Sequence, residues 1–146
     1  MTLEANTALV RRFIEEVFVS RRESAIESLL QEDFVGHTWG PKPVDRSFLR
    51  GAIERVYAGL SDVAMDVEDT VAEGDRVAVR LTSRARQTGE LMGMPATGRT
   101  YEIEEMHWFR IADGRIREHW HVADLAGMFR QLGVTPTAPA EAGARA

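Results

Sequence analysis

The hydrophobic period of this chain changes once, near residue 60, and that change limits the folds open to it. Up to Leu60 apolar residues recur at helical spacing. From Asp62 onward they alternate with polar or small ones, as in half-buried strands.

Leu9, Val10, Phe13, Ile14, Val17 and Phe18 make the apolar stripe of a first helix, with Arg11, Arg12, Glu15 and Glu16 opposite. Ser24 and Glu27 have capping-box spacing for a short second helix through Ile26, Leu29 and Leu30. Asp33 to Trp39 reads as a short extended segment, broken by Gly40, Pro41 and Pro43. Asp45 is placed to cap a third helix that buries Phe48, Leu49, Ile53, Val56, Tyr57 and Leu60.

The alternating half begins with Val63, Met65 and Val67. It turns at Glu73-Gly74-Asp75 and returns through Val77, Val79 and Leu81. A Gly/Pro loop from Leu91 to Gly98 leads to a strand from about Arg99 to Ile111. After the turn at Ala112-Asp113-Gly114, a strand runs from Arg115 to about Val122. A last helix starts at Asp124 and stops at Gly133. Three helices, a meander and a closing helix predict an α+β domain over 1–134, with a curved antiparallel sheet wrapped on the helices and a pocket between them. The tail 135–146, rich in Ala, Pro and Gly, is expected to be disordered.

The 146 residues include no cysteine, which excludes thiolate sites and disulfides and fits a cytoplasmic protein. No stretch approaches the ~20 apolar residues of a membrane span, and no secretory signal opens the chain. The net charge is −5 with a single lysine, Lys42, so there is no basic footprint for nucleic acid. No phosphate-binding glycine loop and no nucleophile elbow are present.

The last hairpin places the chemistry. With a two-residue loop at Asp113-Gly114, Ala112 pairs with Arg115, and His107 faces away from His119 and His121. With a three-residue loop, Ile111 pairs with Arg115, His107 lies opposite His119, and Glu105 lies opposite His121. The second register gathers Glu105, His107, His119 and His121 on one face with Phe109 and Ile103, and with Arg115 and Arg117. It leaves Met106, Trp108, Ile116, Trp120 and Val122 on the other, an apolar face suited to a dimer interface. It is the favoured register, because titratable groups meeting an apolar wall are what a small-molecule site needs.

These pieces together resemble the SnoaL-like polyketide cyclases of the nuclear transport factor 2-like superfamily. The resemblance rests on Asp33-Phe34-Val35-Gly36-His37, Glu73 to Val77, Gly89 to Arg99, Arg110 to Ile116, Glu118-His119-Trp120, and Asp124 through Gln131-Leu132-Gly133. It implies a cone-shaped α+β barrel, a homodimer, a deep apolar cavity and an intramolecular aldol condensation without metal or cofactor. An acid/base group removes an α-proton and the enolate attacks a carbonyl. The family's histidine before the Asp-Gly turn matches His107. Its acid/base aspartate falls on His121, a departure that leaves a base of different reach and charge.

The resulting expectation is a cofactor-independent enzyme for a small apolar carbonyl compound. His121 is its principal acid/base, His107 hydrogen-bonds the developing enolate oxygen or assists proton transfer, and Glu105 sets the tautomer. His119, Trp39, Phe109, Met92, Met94, Asp124 and His37 are expected around the substrate. Asp124 reads most simply as a helix cap and Trp39 as a pocket wall. His37 also fits a surface residue, and the two methionines fit either a lid or core filling. Tyr57 and Tyr101 are further candidates for the wall. His119-x-His121 with His107 also suits a three-histidine metal site, the lesser reading. The competing functions are a binding protein that uses the same pocket, or epoxide opening, isomerisation or hydroxylation on the same scaffold.

Overall fold

The computed structural model describes residues 2–135, so the tail expected to be disordered lies outside the described residues apart from Thr135. The first helix, α1 (Leu3–Phe13), continues without a break into a π-helical turn, Ile14–Val19. Then come α2 (Ala25–Leu29), β1 (Leu30–Gly36), α3 (Arg46–Ala58), β2 (Leu60–Glu73), β3 (Arg76–Gln87), β4 (Thr100–Ala112), β5 (Arg115–Ala123) and α4 (Leu125–Leu132). The expected α+β order is observed, and no helix among the described residues is long and apolar enough to cross a membrane.

Four local expectations change, the first being that Leu60, expected on the third helix, opens β2 instead. The Ser24 side chain makes no capping bond, and Glu27 is drawn away to pair with Arg50. Phe48 is exposed, lying under the Arg55 guanidinium on the solvent side of α3. The extended segment begins earlier than expected, at Leu30, and joins the sheet as β1, parallel to β5. The five strands run in the order β1-β5-β4-β3-β2, so the sheet is mixed rather than purely antiparallel. The caps at Asp45 and Asp124 form as expected, and Gly133 ends α4 in the left-handed conformation.

One core joins both halves of the chain. Phe13 packs edge-on against Phe18 and Phe109, 5.1 and 5.4 Å away between ring centres, and so pins the long helix to the middle of the sheet. Val77, Val79, Leu81, Ser83, Ala85 and Gln87 of β3 all point inward and are buried, as a period-two strand with one covered face requires. Register shifts in β2, between Ser61 and Ala64 and between Val67 and Asp69, bend that strand.

The last hairpin follows neither anticipated register from end to end. Asp113 and Gly114 both have positive φ, 49° and 74°, the geometry of a two-residue loop, and Ala112 pairs with Arg115. Ile111 then pairs with Ile116, and Arg110 pairs with Glu118, so Arg117 is an extra residue in β5. The bulge flips the parity. Ile116 and His119 both point inward, while Arg117 and Glu118 both turn outward to Asp33 and Arg110. Beyond it Phe109 pairs with His119 and His107 with His121. The four titratable groups share the inner face, but Ile116 joins the core instead of the outer apolar face, and Arg115 and Arg117 do not join the histidines.

Candidate active site

β4 and β5 present their inner residues to a cavity closed above by the π-helical turn, α3 and α4. The cavity, about 120 Å³, is walled by Phe18, Tyr57, Leu60, Met65, Leu91, Tyr101, Ile103 and Met128, with Glu105, His107 and His121 as its titratable groups. It adjoins an open vestibule of about 960 Å³, and Trp39, Val56, Met92, His121, Ala123 and Leu125 belong to both. A drug-sized ligand needs roughly 300–1,000 Å³. The inner cavity alone is smaller than that range, and the adjoining vestibule lies within it.

Behind this wall the polar atoms form a directed chain. Trp39 Nε1 carries a hydrogen and can only donate, and it points at His119 Nδ1 from 3.4 Å. His119 must therefore carry its proton on Nε2, which lies 2.9 Å from His107 Nδ1. That leaves His107 with its proton on Nε2, 3.0 Å from Glu105 Oε1. Each donor in the series faces an acceptor, and the series ends on a carboxylate. His119 is fully buried, and burial drives its pKa well below the ordinary histidine value, with the neighbouring His107 and His121 adding to the effect. A neutral His119 is what the chain of bonds requires.

Glu105 is the negative end of the chain. Burial pushes its carboxyl upward. The hydrogen bond and proximity of His107, with Ser83 and His121 nearby, outweigh that, and its pKa lies below the usual value. His121 stands beside it on the adjacent strand, its ring 5.3 Å from that of His107 and 4.5 Å from Trp39. Burial, reinforced by His107 and opposed by Glu105, lowers its pKa to about 4. His121 Nδ1 lies 3.1 Å from Thr38 Oγ1. Among the described residues Nε2 makes no hydrogen bond, and it is not buried; the His121 ring borders the inner cavity, the vestibule and a depression on the outer face.

The expected site residues thus separate into groups. Glu105, His107, His121, Trp39 and Met92 line the cavity, as do Tyr57 and Tyr101. His119 and Phe109 stand one layer behind, stacked at 4.6 Å and fully buried. Met94 fills the core beneath its loop, where the Gln87 amide holds the Met94 and Pro95 carbonyls. His37 lies away from the cavity, stacked on Trp120 at 4.4 Å and bonded to Glu118. Asp124 is exposed and accepts the Gly127 N–H as the cap of α4. Among the described residues no group of three or more His, Asp or Glu side chains is arranged to hold a metal ion.

Two polar residues went unnoticed in the sequence. Ser83 has a detectable signal, since it shares the inward parity of Val79, Leu81 and Ala85. Thr38 has none, because only the fold brings it to His121.

The model of the SnoaL-like polyketide cyclase family matches residues 8–132. The chain belongs to that family. Aklanonic acid methyl ester cyclase AcmA of Streptomyces galilaeus is 41% identical over 133 residues, covering 86% of this chain and 89% of the relative. Aklanonic acid methyl ester cyclase DauD of Streptomyces sp. (strain C5) is 32% identical over 128 residues, covering 86% and 80%. The solved structure of TsrD from Streptomyces laurentii superposes with a TM-score of 0.81 at 28% identity, covering 92% of this chain and 99% of that one. Membership agrees with the fold, and the curated relatives are cyclases by name. The protein is an enzyme of the cyclase type.

Proposed function

We propose that this protein cyclises a polyketide methyl ester by an intramolecular aldol reaction with no cofactor, using His121 as the acid/base. The observation that carries the reading is the placement of that imidazole: its ring lines an apolar cavity beside Glu105, and its Nε2 makes no hydrogen bond among the described residues, while burial lowers its pKa to about 4. Free aspartate has a reference pKa of ~3.9. Burial therefore gives His121 about the proton affinity of the carboxylate that the family resemblance implies at this position, so the exchange preserves the strength of the base.

In the forward step Nε2 takes the α-proton of the ester, and the electrons of the C–H bond pass into the enolate. The enolate carbon attacks a ketone carbonyl of the same molecule, forming the ring bond. The resulting alkoxide takes the proton back from the imidazolium, and the product is an isomer of the substrate. An imidazole base differs from a carboxylate in one respect: taking up the proton creates a cation beside the forming enolate. Glu105, ionised nearby, favours that cation. His107 spends both nitrogens on His119 and Glu105, so in this reading it holds the carboxylate and does not touch the substrate. Tyr57 and Tyr101 remain neutral phenols, Tyr57 raised well above its ordinary pKa and Tyr101 to about 12, in both cases chiefly by burial. With Ser83, they are the hydroxyl donors that line the cavity and are available to the enolate oxygen.

Trp39, Met92 and Leu125 form an apolar mouth suited to the rest of the polyketide. The outer face of the sheet carries exposed Val71, Met106, Trp108 and Val122 beside a shallow depression of about 560 Å³. An apolar patch of this kind suits association, and the reading includes a homodimer through it.

The test is incubation of the purified protein with aklanonic acid methyl ester. The expected result is a product of unchanged mass with one new ring. Unchanged substrate, bound but recovered intact, supports a binding protein instead.

A further inference from the structure

Thr38 joins β1 to the loop before α3, and its backbone lies at φ +68°, in the left-handed region that a β-branched residue seldom enters. Such an outlier persists only where its surroundings hold it, and it often marks a functional site. Here the conformation brings one hydroxyl onto three groups. Thr38 Oγ1 meets the His37 carbonyl, the His121 backbone nitrogen at 3.0 Å and His121 Nδ1 at 3.1 Å.

A hydroxyl has one hydrogen to give and two lone pairs to share. The His37 carbonyl can only accept, and it takes the hydrogen. The His121 backbone N–H can only donate, and it takes one lone pair. The remaining lone pair faces His121 Nδ1, which must then be the protonated nitrogen. The opposite assignment, with the hydroxyl donating to Nδ1, deprives the His37 carbonyl of its hydrogen.

We infer that Thr38 is a positioning residue that fixes His121 as the Nδ1–H tautomer, leaving Nε2 unprotonated and free to accept. This rests on the reading of His121 as the base. It extends that reading by naming what keeps the correct nitrogen bare. The neutral ring otherwise has no fixed tautomer, because among the described residues Thr38 is its only side-chain hydrogen-bond partner. A ring protonated on Nε2 holds a proton where the substrate's α-proton has to go.

Three proteins test it: wild type, Thr38→Val and Thr38→Ser. Valine keeps the shape and the branched β-carbon but removes the hydroxyl, whereas serine restores the hydroxyl. Long-range proton–nitrogen NMR at neutral pH separates protonated from unprotonated ring nitrogens, and the His121→Gln spectrum assigns the signal. The expected result is an unprotonated Nε2 in wild type and Thr38→Ser, and a mixed or reversed tautomer in Thr38→Val. Turnover of aklanonic acid methyl ester should fall ~10-fold or more in Thr38→Val and recover in Thr38→Ser. A wild-type ring protonated on Nε2, or a Thr38→Val ring still protonated on Nδ1, overturns the assignment. The NMR signal needs no turnover, so it stands apart from the base reading, which fails separately if His121→Ala keeps the wild-type rate.

Discussion

His107 and Glu105 lie two residues apart on β4, on the same face, and are joined by a 3.0 Å bond from His107 Nε2 to Glu105 Oε1. This bond ends the series that starts at Trp39. It also means that the carboxylate beside His121 is held by an imidazole whose other nitrogen is met from behind by His119.

Replacing Glu105 by Gln keeps an acceptor for His107 but removes the charge. Because Glu105 favours the protonated form of His121, the His121 pKa should move below its present value of about 4. NMR titration of the His121 ring in Glu105→Gln measures the shift directly. A pKa that stays put or rises means the two groups do not communicate as described.

Acid should weaken the fold before the ordinary carboxylates titrate. His121 binds a proton near pH 6.5 when unfolded but only near pH 4 when folded. Between these values the unfolded chain holds more protons, so stability is complete above about pH 6.5 and drains away toward pH 4. His121 alone accounts for about 3 kcal/mol over that window. His119, lowered in the same direction, adds to the loss, and Glu105, also lowered, contributes below its unfolded pKa. Urea unfolding at pH 7.5, 6 and 5 should give steadily lower midpoints, and His121→Phe should flatten the slope.

His119 is structural support as much as chemistry. Its ring fills the space between Phe13 and Phe109 and gives His107 its only partner at Nδ1 among the described residues. His119→Ala leaves a void and an unpartnered buried nitrogen, and should destabilise the protein by about 3 kcal/mol. Chemical denaturation reads this, and a loss below about 1 kcal/mol contradicts the packing described.

Trp108 stands near the centre of the exposed outer face. If that face joins two copies, Trp108→Glu should convert a dimer to a monomer in sedimentation while leaving the far-ultraviolet circular dichroism intact. A wild-type protein that sediments as a monomer removes the dimer from the account.

Much of this arrangement is legible in the residues. The switch in hydrophobic period near Leu60 marks where helices give way to sheet, and the caps at Asp45 and Asp124 form where the spacing places them. The inner cluster of Glu105, His107, His119 and His121 is also foreseeable, although the anticipated loop is not the one that forms. An Asp-Gly turn prescribes a two-residue loop, and only the bulge at Arg117 reconciles it with an inward Ile116 and His119. Bulges follow from packing on both sides of a strand, which no local pattern records. The same limit hides Thr38, whose partner lies 83 residues away, and the parallel pairing of β1 with β5, which depends on where α2 sets that strand down.

The decisive measurement is the rate of ring closure on aklanonic acid methyl ester by wild type, His121→Ala and His121→Asp. An acid/base group contributes ~10²–10⁴-fold. His121→Ala should lose at least ~10²-fold while remaining folded, and His121→Asp, with a carboxylate of similar proton affinity, should retain activity within ~10-fold of wild type. A His121→Ala protein that closes the ring at the wild-type rate contradicts the account.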